Sequence, residues 1–299
     1  MNLTDDAMLV DLRITAWSGR RYDRQASDHV AASHDAASSA GRYNKLLLPK
    51  AAFAALTATI SDARKTHYAQ TLPWDDKGAR LLTVANYDHY VRLFHGVRER
   101  MVRERTRFIE DYDSNVDEAR LNLGKLFRVE DYPSKEALIG KFSVRYRITP
   151  VPDADHFMAR LASDDTERVK RDIEAHNAER LGEAITDLYR RLAEAVDRVS
   201  ERLREDDEGK PLVFRDSMIE NIRELVDIVP RLNIFDDHGL AALCDQVKRK
   251  IASADPAALR PSPGFDPALR QQVKRDADDL AQQFAGYFGS FPQPEREVA

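Results

Sequence analysis

The sequence predicts a mainly α-helical protein with a small β element, an α+β chain. It is built on a long antiparallel coiled-coil-like helical hairpin followed by a C-terminal helical bundle. Three observations lead there. Apolar residues recur every three or four positions over two very long stretches. Two short segments instead alternate apolar and polar residues, the period of a half-buried strand. The composition, 32% charged and 42% hydrophobic with 12 glycines and 13 prolines in 299 residues, suits a helix-rich chain with a core rather than a disordered one.

Leu9 to Trp17 places Val10, Leu12, Ile14 and Ala16 on one side and Asp11, Arg13, Thr15 and Trp17 on the other, which predicts the first strand. Residues 22–39, rich in Ala, Ser and Asp, read as a weakly apolar helix or a connector. Leu46-Leu47-Leu48 then meets Pro49, and Phe53, Leu56, Ile60 and Ala63 follow at helical spacing. Leu72 to Gly78 reads as a turn around a buried Trp74.

From Asn86, the positions Tyr87, Tyr90, Phe94, Val97, Met101, Phe108, Tyr112 and Val116 predict one long helix, with a break near Asp113-Ser114 where Ser114 and Asp117 could cap a new start. After Gly124, Tyr132-Pro133-Ser134 opens a short helix. Phe142 to Thr149 alternates, with Phe142, Val144, Tyr146 and Ile148 opposite Ser143, Arg145 and Arg147, and Pro150 and Pro152 end that strand.

The second long helix spans roughly Asp165 to Arg204, with Leu181, Ile185, Leu188, Leu192, Ala195, Val199 and Leu203 as its apolar seam. At about 1.5 Å per residue it reaches about 60 Å. With the insert 127–164 between them, the two long helices are natural antiparallel partners. Gly209-Lys210-Pro211 marks a break, and three helices follow at about 215–229, 237–252 and 266–288, the last capped by Asp266 with Pro267 at its first position. The implied organisation is an N-terminal region of strand and helices at 1–84, the hairpin at 85–208, the bundle at 209–290 and a frayed tail at 291–299.

Composition also narrows the chemistry. A formal charge of −5 gives no global attraction to nucleic acid or an anionic membrane, so nucleic-acid binding has to be local. With Cys244 as the single cysteine, an intrachain disulfide and a Cys-rich zinc site are excluded, and a reducing compartment is the natural setting. The start of the chain lacks a secretory pattern and no segment approaches about 20 apolar residues, so a cytoplasmic location and no membrane partner are expected.

The histidines lack metal-binding spacing: His29 and His34 are five apart, His89 and His95 six apart. Asp153-Ala154-Asp155-His156 is the one compact group of metal-type ligands, and it reads better as a polar turn with a helix cap. No phosphate-cradling glycine loop is present. Cys244, among Leu240, Leu243 and Val247, reads as a structural thiol, and the many carboxylates read as solvated helix faces. No catalytic residue, metal or cofactor is therefore expected.

The most suggestive feature is basic. If the two alternating strands pair, Arg13, Trp17, Arg20, Arg21, Arg145 and Arg147 share one exposed sheet surface, and arginines beside an aromatic are the ingredients of single-strand nucleic-acid binding. The plainer account, which the sequence favours, is that exposed strands carry arginines to stay soluble and to block edge pairing.

The run from Leu9-Val10-Asp11-Leu12-Arg13-Ile14-Thr15-Ala16-Trp17 to Ser18-Gly19-Arg20 resembles an uncharacterised family encoded by bacteriophages and bacterial mobile elements. So do Thr71-Leu72-Pro73-Trp74 with Gly78, Leu126-Phe127, Asp131-Tyr132-Pro133-Ser134, and Phe142 through Pro150-Val151-Pro152. The resemblance covers most of the first 250 residues. Some members are encoded near MoxR-like AAA+ ATPases and von Willebrand-type proteins, which implies work inside an assembly, with a second copy or another protein such as an AAA+ ATPase as partner. It assigns no functional residue. The expected function is a non-enzymatic, oligomeric scaffold or interaction protein of a phage or mobile element. The alternative is a single-strand nucleic-acid-binding protein, and a third is a hydrolase or nuclease whose acidic residues assemble only in three dimensions.

Overall fold

A computed structural model describes residues 3–75, 78–152 and 163–288. In chain order the elements are α1 (Leu3–Asp6), β1 (Ala7–Thr15), β2 (Arg20–Tyr22), α2 (Arg24–Ser33), β3 (Asn44–Leu46), α3 (Ala54–Ala69), β4 (Leu72–Pro73) and β5 (Ala79–Thr83). They continue with α4 (Val84–Glu110), α5 (Tyr112–Leu123), α6 (Lys135–Ile139), β6 (Ser143–Pro150), α7 (Ser163–Arg202), α8 (Ser217–Leu232), α9 (His238–Val247) and α10 (Pro267–Phe288). The protein is mainly helical with a small antiparallel sheet, in the order β4-β5-β1-β6, and β2 and β3 form a separate two-stranded sheet. The Asp153–His156 cluster and the tail at 291–299 lie outside the described residues.

Two compact units are interleaved along the chain. One comprises Met1–Val10, Gln70–Tyr87 and Thr149–Ala299, the other Asp11–Ala69 and Asp88–Ile148. Their charges differ in sign. The first carries 24 Lys and Arg against 35 Asp and Glu, a formal −11, and the second 22 against 16, a formal +6. They are called the acidic and the basic unit below.

The acidic unit is a helical bundle whose core gathers Leu188, Leu192, Val196 and Val199 of α7 with Ile222 and Val226 of α8, Leu240 and Val247 of α9, and Val273, Leu280 and Phe284 of α10. The seam read from the sequence is therefore real, but its partners are α8 and α10 rather than the other long helix. Apolar spacing marks that a face will be covered without naming what covers it. Asp266 accepts hydrogen bonds from the Ala268 and Leu269 amides, so the cap on α10 is as expected. Leu72 and Pro73, expected within a turn, instead pair antiparallel with β5, Leu72 facing Leu81 and Pro73 facing Arg80, and Trp74 is buried beside them as expected.

The basic unit is organised around α4, which with α5 buries Tyr90, Phe94, Val97, Met101, Phe108 and Tyr112 as the spacing predicted, whereas Tyr87 at the start of the series is 38% exposed and Val116 at its end half-buried. The interruption falls at Asp111, two residues before the expected Asp113-Ser114, and Asn115 still donates to the Asp111 carbonyl across it. Tyr90 stacks on Phe94 at 4.5 Å between ring centroids, Tyr146 of β6 meets both rings edge-on, and buried His67 of α3 shares a 3.0 Å hydrogen bond with the Tyr90 hydroxyl. Inward Val144 and Tyr146 alternate with outward Arg145 and Arg147, so the period of two is carried through in β6.

Trp17 lies beyond the end of β1, half-buried, with its ring edge-on to Phe53 (5.8 Å), Tyr112 (6.4 Å) and Phe108 (6.5 Å). Gly19, two residues on, has φ +61°, and a Cβ there would lie 2.4 Å from the Phe53 ring while the Gly19 carbonyl accepts a 2.7 Å bond from Leu47. Gly19→Ala is therefore expected to cost about 2–4 kcal/mol in urea denaturation, from the left-handed backbone and the overpacked ring together.

Candidate functional site

The arginines nominated by the sequence do not share one surface. Arg13, Arg145 and Arg147 stand on the outer face of β1 and β6, where Asp11 takes Arg147 as an ion pair (2.8 Å to Nη2 and 3.3 Å to Nε). Arg13 and Arg145 are exposed there, with no ion pair among the described residues. Arg20 and Arg21 belong to the two-stranded β2–β3 sheet instead. Trp17, half-buried, is engaged edge-on by Phe53, Phe108 and Tyr112. A strand pattern fixes which side chains share a face of one strand, but strand pairing decides which faces adjoin, and that is a long-range choice.

The β2–β3 sheet has the more developed surface. Its register pairs Arg20 with Leu46, Arg21 with Lys45 and Tyr22 with Asn44. The ladder is extended at both ends, by Leu47 donating to the Gly19 carbonyl and Asp23 donating to the Tyr43 carbonyl. Directly opposed residues lie on one face, so Arg20, Tyr22, Asn44 and Leu46 form one side and Arg21 and Lys45 the other.

The inner side is locked. The Lys45 side chain is 2% exposed, and its ammonium donates to Asp23 at 3.0 Å and to the Leu126 carbonyl at 2.8 Å and forms an ion pair with Asp131 at 2.7 Å. Burial opposes the Lys45 charge, but Asp131 and Asp23 outweigh it and hold the pKa above its ordinary value. Asp23 also caps α2 by accepting from the Ala26 amide, and that bond, then Lys45, draws its pKa down. Arg21 reaches the second oxygen of Asp131 at 3.5 Å.

The outer side is open. Arg20, Tyr22, Asn44 and Leu46 are all exposed, Tyr22 at 47%, and the Arg42 guanidinium lies 5.8 Å over the Tyr22 ring, within cation–π range. Two hollows flank Tyr43. One of about 260 Å³ is lined by Val30, Ala31, His34 and Arg42 among others, and one of about 340 Å³ by Asn44, Leu46, Pro49 and Asn122 among others. Sequence reading passed over Tyr22, Arg42 and Tyr43. The available signal was the pair of short segments Arg20-Arg21-Tyr22 and Arg42-Tyr43-Asn44, each joining basic and aromatic residues, but both are too short to show a period.

Among the described residues, carboxylates also line a cavity. A cavity of about 490 Å³ in the acidic unit is lined by Asp197, Ser200, Glu201, Arg204, Lys274, Asp278, Ala281 and Gln282. Ser200 is 4% exposed and its hydroxyl donates a hydrogen bond to Asp278, which Lys274 also holds at 2.5 Å. Burial would raise the Asp278 pKa, but Lys274 and Ser200 outweigh it and pull it down, making this carboxylate a weak base toward the Ser200 hydroxyl. Asp197 moves the other way, raised by burial and by Glu201. The cluster reads as an ion-paired groove. Among the described residues no group of three or more His, Cys, Asp or Glu is arranged to hold a metal ion.

Cys244 is buried, its thiol donating to the Val226 carbonyl at 3.5 Å, and burial pushes its pKa up to about 11, which keeps it protonated and inert at neutral pH. Among the described residues no helix is long and apolar enough to cross a membrane. No family model matches the chain, and no curated protein or solved structure matches it either.

Proposed function

We propose that this chain is a non-enzymatic interaction protein, a component of a phage or mobile-element assembly, that engages its partner through the basic unit. The observation that carries this reading is the β2–β3 sheet. Its inner side is tied down by a buried lysine with two carboxylates, so its outer side is held rigid while every side chain on it stays open to solvent. A surface that is fixed, exposed and partly aromatic is what a binding site needs, because little ordering entropy is then lost on contact. The +6 charge of the unit favours an acidic partner. An acidic face of another protein, such as an AAA+ ATPase or a second copy, and a nucleic-acid strand both carry that charge.

The test is a comparison of the tagged full chain with its R20E/R42E variant, both used to retain partners from host cells and both checked for folding by circular dichroism. The wild type is expected to retain a partner that the charge-reversed variant loses. Equal retention by the two proteins would overturn the assignment of the working surface.

A further inference from the structure

We infer that the outer face of β2–β3 takes single-stranded nucleic acid, with bases stacked at Tyr22 and seated beside Tyr43 and phosphates held by Arg20 and Arg42. The inference rests on reading the chain as an interaction protein and names the class of partner. It requires that a chain carrying −5 overall present a local site for a polyanion, and three observations meet that requirement.

The first is charge. The negative excess is confined to the acidic unit, so a strand approaching β2–β3 meets a unit of +6. The second is the pairing of side-chain types. Arg20, Tyr22, Asn44 and Leu46 share one open face, and Arg42 stands over the Tyr22 ring. A tyrosine 47% exposed offers a flat apolar surface to any base, and a guanidinium plane extends that surface while remaining free to turn to a phosphate. Asn44, directly across from Tyr22, brings an amide that can donate to and accept from a base edge.

The third is relief. The hollows of about 260 and 340 Å³ on either side of Tyr43 are lined mostly by small or apolar side chains, with Arg42 at one and Asn44 and Asn122 at the other. They suit planar apolar groups entered from a charged rim. A duplex keeps its bases paired and stacked inside, so it can use the arginines but not the tyrosine or the hollows. Single strands are therefore preferred. An acidic protein surface would likewise use the arginines and leave Tyr22 unused.

The experiment is fluorescence anisotropy of a labelled 15-nucleotide oligo(dT) titrated with the full chain, with the matching duplex as competitor, in 50 mM and 200 mM NaCl. Binding is expected to the single strand with little competition from duplex. Two phosphate contacts predict a slope of log K against log salt of about −1.4, an affinity loss of about sevenfold between the two salts. Y22A is expected to weaken binding by about fivefold or more with the slope unchanged, and R42E to make the slope shallower by about 0.7. R13E/R145E, on the other sheet, should leave both readouts as they are.

No binding at 50 mM NaCl overturns the inference, as does binding lost in R13E/R145E but kept in Y22A and R42E, or equal preference for duplex. Should oligo(dT) fail to bind while R20E/R42E still sheds a retained protein partner, the interaction reading stands and nucleic acid is excluded. If neither dependence on the face is found, both fall.

Discussion

Replacing Lys45 with methionine is expected to lower the stability of the basic unit by about 3–5 kcal/mol. Methionine restores most of the aliphatic stem, so the loss reports the charge rather than the volume. Without the ammonium, buried Asp23 faces half-buried Asp131 with only Arg21 left beside the latter, and the Leu126 carbonyl loses its donor. Leaving a buried ion uncompensated costs more than the pair contributes when intact, because the desolvation already incurred is no longer repaid by attraction. The measurement is urea denaturation followed by hydrogen exchange on peptides from β3 and α4. K45M/D131N, which removes one of the stranded charges, is expected to recover part of the loss. An unchanged K45M midpoint would show that water reaches the carboxylates and that the clamp holds nothing.

The same cluster fixes a pH dependence. Asp23 is depressed below its ordinary value, first by the Ala26 amide and then by Lys45, so its contribution is complete above about pH 4 and is lost as pH falls through the folded-state value. Lys45 is raised, so its contribution is complete below about pH 10.5 and is lost as pH rises through the folded-state value. The cluster's contribution is therefore flat through neutrality and falls at both ends, and K45M should show a smaller alkaline fall than wild type, the remainder coming from buried tyrosines such as Tyr112, whose pKa burial pushes up to about 12.

Arg270→Met is expected to destabilise the acidic unit by about 3 kcal/mol. Arg270 is 4% exposed and donates to the carbonyls of Leu259, Arg202 (3.0 Å), Leu212 (3.2 Å) and Arg204 (3.3 Å), joining α10 to the end of α7 and the segment that follows. Arg202 closes α7, where a helix leaves carbonyls without internal partners and carries partial negative charge, so a cation there satisfies both. No carboxylate makes a hydrogen bond to it among the described residues, and burial pulls its pKa down from the ordinary value. The energy lies in the guanidinium fork serving several carbonyls at once. Lysine keeps the charge but reaches fewer of them, so R270K should fall between wild type and R270M. Hydrogen exchange at the end of α7 and the start of α10 measures the difference, and an R270M protein as protected as wild type would show that water replaces the arginine.

Some of this architecture needs no tertiary information. The helices α7 and α10, the cap at Asp266, the seam from Leu181 to Leu203, the buried face of α4 and the alternation in β6 all follow from spacings within a few residues, because helix and strand periods are local properties of the backbone. The burial of Cys244 among Leu240 and Val247 follows in the same way. Other features depend on which distant segments meet. The two long helices fall in different units, and α7 is covered by α8 and α10, since any apolar face of the right width would satisfy the same spacing. Arg20 and Arg21 left the surface shared by Arg13 and Arg145 because β2 paired with β3, a partner 22 or more residues away whose three positions carry no readable period. Trp17 turned inward because Phe53 and the pair Phe108 and Tyr112, from two distant parts of the chain, converge on it. The sequence by itself determined most of the faces that bury; the tertiary structure decided what they bury against, drew in Trp17 and Lys45, and settled which arginines stand beside an open tyrosine. Burial is set by residue type and local period, whereas partnership is set by long-range packing, in which many segments of similar polarity compete for each face.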